Sequence, residues 1–204
     1  MFRTIYSTGF WCALAAGIST IAYVCVQLMQ VLSLFHFPAD EILIYSSSLC
    51  IAFPFLLMMI ALHYSVQPHR KFWTHIALCC TILYVFFVVA NYVVQLATVI
   101  PMKRKGLISE VHILEQTPHS MFWNFDALGY ILMGLAAAFA SLAFENQGFH
   151  KKVKFAMIFH ALTTPLISIV YFAPNYNNSL LLLGYPWAVQ PRCLCCFSHH
   201  GFTN

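Results

Sequence analysis

Long, uninterrupted apolar blocks are the feature of this sequence that most restricts its fold. Five blocks are long enough to cross the ~30 Å hydrocarbon core of a bilayer as α-helices, which takes about 20 residues each. Only 8% of the residues are charged and 61% are hydrophobic, whereas a water-soluble domain carries about 25% charged residues. The sequence therefore predicts an all-α, polytopic transmembrane helix bundle with five full spans and a short sixth.

Polar or proline-containing breaks set the limits of the predicted spans. Pro101 is expected to end the third span, and Thr117 with Pro118 is expected to cap and begin the fourth. Together with the short block that follows them, these spans form one predicted transmembrane domain, residues 1–189. The five full spans are predicted at residues 8–35, 42–64, 74–100, 118–144 and 153–173.

One connection, residues 102–123, is much longer than the others. It begins with a basic cluster at 103–105, after which Leu107, Val111 and Leu114 recur at helical spacing. That spacing predicts a short amphipathic helix on the membrane surface, and a solvated loop fits the same residues equally well.

The sixth apolar block, residues 179–189, is too short to cross the membrane as a straight helix, since it would be roughly 17 Å long. It is interpreted as a re-entrant segment, a surface helix or a truncated span. The tail, 190–204, is expected to be unstructured, and a change of reading frame near residue 189 is the favoured explanation for it. Its Cys and His residues also suggest a zinc site or S-acylation, although the two histidines are adjacent and poorly spaced for zinc. The weak metal candidates are Cys193, Cys195, Cys196, His199 and His200.

Polar side chains inside the predicted spans fall at one depth, in the half of the membrane nearest residues 36–41 and 102–123. Because lipid offers no hydrogen-bond partners, the sharpest hypothesis is a polar cavity that opens to that side. Asp126 would be its carboxylate and would handle a proton, a cation or a cationic ligand. The alternatives are hydrogen bonds that hold the helices together and a headgroup-level position for Asp126 beside Trp123. The candidate residues are Gln27, Gln30, Ser47, Asn91, Gln95, Asp126 and Tyr130.

The fifth span contains a second candidate, formed by His160, Thr164 and Pro165. Proline frees a backbone carbonyl one turn earlier, and a kink satisfied by neighbouring side chains is favoured over a proton relay. The fourth span carries a face of glycine and alanine that includes Gly129 and Gly134. Small residues at such a face predict close packing between helices.

The distribution of Lys and Arg predicts a cytoplasmic N-terminus. That orientation places seven basic residues inside and three outside, with the 103–105 cluster as the main exception. The seventh, Arg192, counts only if the last block crosses the membrane. The inner residues are Arg3, Arg70, Lys71, Lys151, Lys152, Lys154 and Arg192.

Four segments, at residues 10–17, 38–44, 92–101 and 125–136, resemble an uncharacterised group of small bacterial integral membrane proteins with six predicted spans. The resemblance covers roughly residues 1–189 and rests on apolar segments. It implies a location in the bacterial inner membrane. It also implies a complete sixth span, from which this chain departs, and it implies no activity.

The sequence favours a non-catalytic membrane component. It contains no H-E-x-x-H or G-x-S-x-G motif, so an enzyme has no support, and no cofactor is expected. The lipid bilayer is the expected partner, and nucleic acid is not, because the basic residues lie between the apolar blocks. The alternative is a small transporter or channel subunit that works as a homo-oligomer on an unidentified ligand.

Overall fold

The computed structural model describes residues 2–177, 180 and 183, and within them all regular secondary structure is helical. Five helices are long and apolar enough to cross a membrane, which confirms the all-α bundle. The predicted block at 179–189, apart from residues 180 and 183, and the tail at 190–204 lie outside the described residues. The helices are α1 (Phe2–Val31), α2 (Ala39–Ser65), α3 (Pro68–Arg104), the short α4 (Ile108–Val111), α5 (Met121–Ser141) and α6 (Gly148–Phe172).

The turn between α1 and α2 is wider than the sequence predicts. α1 ends at Val31 rather than near residue 35, because Ser33 takes a left-handed conformation with φ of 55°. α2 begins at Ala39 rather than at residue 42, so Asp40 and Glu41 lie in its first turn. Carboxylates are favourable there, since the helix dipole is positive at its N-terminus.

The prediction that Pro101 ends the third span is wrong. α3 is continuous to Arg104, and a π-helical turn at Gln95–Val99 immediately precedes the proline. In this turn the N–H of Ile100 bonds to the carbonyl of Gln95, five residues earlier. In an α-helix it would bond to the carbonyl four residues earlier. The widened turn places Pro101 at the start of a new helical segment, where a missing N–H is tolerated. The helix finally stops before Gly106, whose φ is +81°.

The fourth span begins later than predicted. Ser120, not Thr117, caps α5, because its hydroxyl accepts a hydrogen bond from the backbone N–H of Trp123 at 3.1 Å. Thr117 instead belongs to a turn in which its carbonyl accepts from the N–H of Ser120 at 2.9 Å. α6 begins at Gly148, so its three lysines lie within the helix rather than in a polar turn.

Helix contacts follow chain order: α1 packs against α2, α2 against α3, α3 against α5, and α5 against α6. The small residues of α5 permit the last two contacts. A Cβ on Gly129 would lie 2.7 Å from Cγ2 of Val88, and one on Gly134 would lie 1.7 Å from Oγ1 of Thr164. The predicted small-residue packing face is therefore confirmed.

Large apolar side chains cover the outer faces of the first and last helices. Trp11 and Ile18 on α1 are exposed, as are Phe155 and Leu162 on α6. A protein in water rarely exposes such extended apolar surface. These faces support a bilayer as the surroundings of the bundle.

Candidate functional site: a buried polar network at Asp126

Asp126 lies inside the protein, near the start of α5. Residues Phe122, Trp123, Asp126, Ala127 and Tyr130 are buried together, which is the spacing of one helix face. That face packs between α3 and α6, and Asp126 itself is only 3% exposed. The carboxylate is thus surrounded by protein groups.

Hydroxyl and amide donors from two neighbouring helices bind both oxygens of the Asp126 carboxylate. Oδ1 accepts from the hydroxyl of Tyr92 at 2.6 Å and from Nδ2 of Asn91 at 3.4 Å. Oδ2 accepts from the hydroxyl of Tyr171 on α6. The hydroxyls of Tyr92 and Tyr130 are 3.3 Å apart. Asp126 therefore links α3, α5 and α6 through its own side chain.

Trp123 fixes the position of Tyr171. Its indole Nε1 donates to the backbone carbonyl of Tyr171 at 2.9 Å, and the two rings lie 4.6 Å apart. The ring of Trp123 is buried between α5 and α6. Trp123 thus helps to aim the hydroxyl that binds Asp126.

Within residues 2–177, the ion pairs of the protein do not involve Asp126. They join Arg70 to Glu145, and Lys103 to Glu41 and Glu115. The carboxylate is stabilised by neutral donors alone. Such a group can hold a charge through its hydrogen bonds, take up a proton, or accept a cation that displaces one of its donors.

The connection after α3 packs over this polar network. Nδ2 of Asn91 donates to Oε1 of Gln116 at 2.9 Å. Gln95 closes the other side: its Nε2 donates to the carbonyl of Leu114 at 2.8 Å, and its Oε1 accepts from the N–H of Gln116 at 3.3 Å. Val111 is 1% exposed. The predicted surface helix is therefore limited to α4 and one 3₁₀ turn, His112–Leu114, and the segment covers the end of the bundle.

Lys103 fastens this covering segment to α2 and α3. Its ammonium lies 3.1 Å from Oε1 of Glu41 and 2.6 Å from Oε1 of Glu115. It also lies over the ring of Phe37, 4.8 Å from the ring centroid. We call this side of the bundle, which holds Asp126, Lys103 and the connection 105–120, the loop end.

The predicted polar residues separate into two groups and one isolated side chain. Asp126, Asn91, Gln95 and Tyr130 come together with the covering segment. Gln27 and Gln30 form a different chain, in which Nε2 of Gln27 donates to Oε1 of Gln30 at 3.0 Å, and Nε2 of Gln30 donates to Oδ2 of Asp40 at 2.9 Å. Ser47 bonds to the carbonyls of Leu43 and Ile44 in its own helix.

Sequence reasoning missed three members of the network: Tyr92, Tyr171 and Gln116. Tyr92 directly follows Asn91, so proximity along the chain is a signal for it. Tyr171 lies near the predicted end of the fifth span, and its long side chain reaches a depth that its backbone does not. Gln116 belongs to the connection 102–123, where no sequence pattern indicates that its side chain faces the protein interior.

The second candidate, around Pro165, lies within an uninterrupted helix. α6 runs through the proline from Gly148 to Phe172. Oγ1 of Thr163 donates to the carbonyl of His160 at 2.7 Å, and Oγ of Ser168 donates to the carbonyl of Thr164 at 3.0 Å. Oγ1 of Thr164 is buried without a hydrogen-bond partner and packs against Gly134. The two hydroxyls thus bond to carbonyls of their own helix, and neither of these bonds reaches the carbonyl of Ala161, which the proline frees.

The five candidate metal ligands at Cys193, Cys195, Cys196, His199 and His200 lie outside the described residues. Within the described part of the chain, no group of three or more His, Cys, Asp or Glu side chains is arranged to hold a metal ion.

Comparison of the chain with protein-family models, with curated proteins and with solved structures gives no match. Functional argument therefore depends on the geometry of the polar network.

Proposed function

We propose that this protein is a non-catalytic, multi-pass component of its membrane, in which Asp126 locks α3, α5 and α6 into one rigid unit. The supporting observation is the double use of the carboxylate. One oxygen binds donors of α3, the other binds a donor of α6, and the side chain is 3% exposed. A group so fully engaged within the protein suits assembly.

Rough magnitudes support this role. A charged side chain near the centre of a spanning helix costs about 2.5–3.5 kcal/mol on insertion scales. Hydrogen bonds between spanning helices contribute about 0.6–2 kcal/mol each. Asp126 lies near the start of α5 and receives three such bonds. Together they contribute about 2–6 kcal/mol, which is comparable to the cost at a helix centre.

The test compares Asp126→Asn with Tyr171→Phe in the purified protein. We expect both variants to unfold more easily in detergent, by about 1–2 kcal/mol, because each removes or weakens a bond between helices. Leu128→Ile is the matched control, since Leu128 lies on the exposed, lipid-facing side of the same helix and the change adds no polar group. Unchanged stability of both network variants would overturn the assembly role.

A small transporter or channel subunit is the second candidate. One observation favours it: the described residues give Asp126 no basic partner, and its hydrogen bonds continue through Asn91 to Gln116 in the covering segment. The π-helical turn at Gln95 points the same way, since such turns are frequent at functional sites. Five spans are few for a transport path, so this function requires a homo-oligomer.

Proteoliposomes loaded with a pH-sensitive dye distinguish the two candidates. A transport role predicts a proton or cation flux that Asp126→Asn abolishes while unfolding stays unchanged. Cross-linking in the membrane would then show dimers or larger forms. An assembly role predicts that Asp126→Asn lowers stability and that neither the wild-type protein nor the variant carries a flux.

We also propose a bacterial inner membrane with the N-terminus in the cytoplasm. The basic cluster at 103–105 opposed this orientation in the sequence, but Lys103 is paired with Glu41 and Glu115. The loop end carries three Lys and Arg against four Asp and Glu outside the network, whereas the opposite end carries six against one. Alkaline phosphatase fused after Gly106 should be active and after Asn146 inactive; the reverse pattern contradicts the orientation.

A further inference from the structure

A cavity of about 660 Å³ lies at the end of the bundle opposite the loop end, where α3 and α6 begin and α5 ends. We call this the lysine end, after Lys71, Lys151, Lys152 and Lys154. The lining includes both charged groups and the apolar side chains of Trp73, Leu142 and Phe144. Its polar lining residues include His69, Arg70, Glu145, Gln147 and Lys154.

Arg70 builds one wall of the cavity and is fully occupied in doing so. Its Nε donates to Nε2 of His69 at 3.1 Å, one terminal nitrogen donates to the carbonyl of Ala143 at 3.2 Å, and the other pairs with Glu145 at 3.2 Å. This network ties the start of α3 to the end of α5. It also cancels the one carboxylate that faces the cavity.

Lys154 is the second cation that lines the cavity. It is half-buried in the lining, and no carboxylate of the described chain pairs with it. Lys151 and Lys152 lie three and two residues earlier on the same helix and are exposed. Among the residues that line the cavity, the charges of Arg70 and Glu145 cancel and that of Lys154 remains.

The start of α6 increases that field. Gln147, at its N-cap, makes no side-chain capping bond, and a helix N-terminus carries a partial positive charge that favours an anion. Lysines in the first turns are unfavourable there unless an anion accompanies them. The N-terminus of α6 and Lys154, six residues further along the helix, thus border the same cavity.

We propose that this cavity binds the phosphate of an anionic phospholipid, with Lys154 as the direct contact. The location argues for a lipid as the source of the phosphate. The cavity lies at one end of the bundle, where three spanning helices begin or end, and Trp73 is a residue typical of the headgroup level. Leu142 and Phe144 offer apolar surface beside the charged groups, which suits the glycerol and upper acyl chains. Basic pockets between spanning helices are known to hold anionic headgroups.

The experiment measures lipid binding to the full-length protein in detergent, by native mass spectrometry and by thermal protection. The probes are phosphatidylglycerol, phosphatidylcholine and inorganic phosphate. Phosphatidylglycerol should be retained preferentially, and Lys154→Gln should weaken it about fivefold, the effect of one basic residue near an anionic surface. Lys154→Arg should retain binding, which shows that charge and not folding is at issue.

Lys105→Gln is the matched control, because Lys105 is an exposed lysine at the loop end. Its retention of phosphatidylglycerol should equal that of the wild-type protein. Equal loss in Lys105→Gln and Lys154→Gln would overturn the site, as would equal retention of phosphatidylcholine. Protection by inorganic phosphate at the same concentration as the lipid would overturn the lipid source in favour of a free-anion site.

Discussion

At the loop end Lys103 lies between two carboxylates, whereas at the lysine end Lys154 faces a cavity and has no carboxylate partner among the described residues. The polar groups of the loop end bond to one another across α2, α3, α5 and α6. At the lysine end, the described residues form one ion pair, Arg70 with Glu145; Lys71 lies 5.8 Å from the ring centroid of Tyr64, and Lys154 has no carboxylate partner. The difference teaches that charge at one end serves cohesion, and charge at the other is available to the membrane.

The strongest way to break this comparison is to delete one acid at each end. Asp126→Leu should lower the free energy of unfolding by about 3 kcal/mol or more, because Tyr171 loses its acceptor and Tyr92 and Asn91 each lose one of their partners inside the protein. Glu145→Leu should cost under about 1 kcal/mol, since its side chain is 43% exposed. Denaturant titration in detergent micelles compares them. Equal losses would mean that the two ends do not differ in cohesion.

A substitution in α5, which runs from the loop end to the lysine end, should have the next largest effect on stability. Gly134→Val should cost about 2 kcal/mol, because a Cβ there meets Thr164 at 1.7 Å. Leu135→Val, at an exposed position on the same helix, should change stability little. Gly134→Ala alone should lose less than Gly134→Val, and adding Thr164→Ala should recover part of that loss. The thermal midpoint measures all four variants. A loss at Leu135 as large as that at Gly134 would contradict the packing argument.

Lys103→Met sharpens the comparison at the loop end. The change should cost about 1–2 kcal/mol, because it leaves Glu41 and Glu115 without the cation between them. Arg104→Met is the control, as Arg104 is exposed and next in sequence. Adding Glu115→Gln to Lys103→Met should restore stability. Protease cleavage within 105–120 should also accelerate in Lys103→Met alone; a cleavage rate equal to wild type would show that Lys103 does not hold this segment.

The smallest effect is expected for Arg70→Gln at the lysine end. Loss of a part-exposed pair and one carbonyl contact should cost under about 1 kcal/mol in the same unfolding assay. A cost above that of Lys103→Met would reverse the proposed ranking of the two ends.

The spans were predictable from sequence because insertion into lipid depends on length and hydropathy, which are summed along the chain. The exact ends of the helices were less predictable from the sequence. Pro101 obeys the helix-breaking rule locally, but the π-helical turn before it accommodates the ring. Thr117 and Ser120 are both good capping residues, and only the left-handed conformation of His119, with φ of 69°, selects the second.

The sequence predicts a polar layer by depth along each span, but it does not predict the direction of each side chain. Rise per residue places Gln30 and Gln95 at similar depths, yet it does not say which neighbour each side chain faces. Gln30 turns to Asp40 and Gln95 turns to the covering segment. Contacts of this kind depend on how helices rotate against one another, which a single sequence does not encode in its periodicity.

Packing in chain order has a consequence for the insertion of the protein into the membrane during synthesis. The α1–α2 pair is complete as soon as both have entered the membrane, but the carboxylate that accepts from Tyr92 and Asn91 on α3 arrives only with α5. Asn91 is synthesised 35 residues before Asp126, an interval of roughly 2–7 s at translation rates of about 5–20 residues per second. Until then Tyr92 and Asn91 lack their carboxylate acceptor, so an insertion chaperone would be expected to bind α3 during this interval.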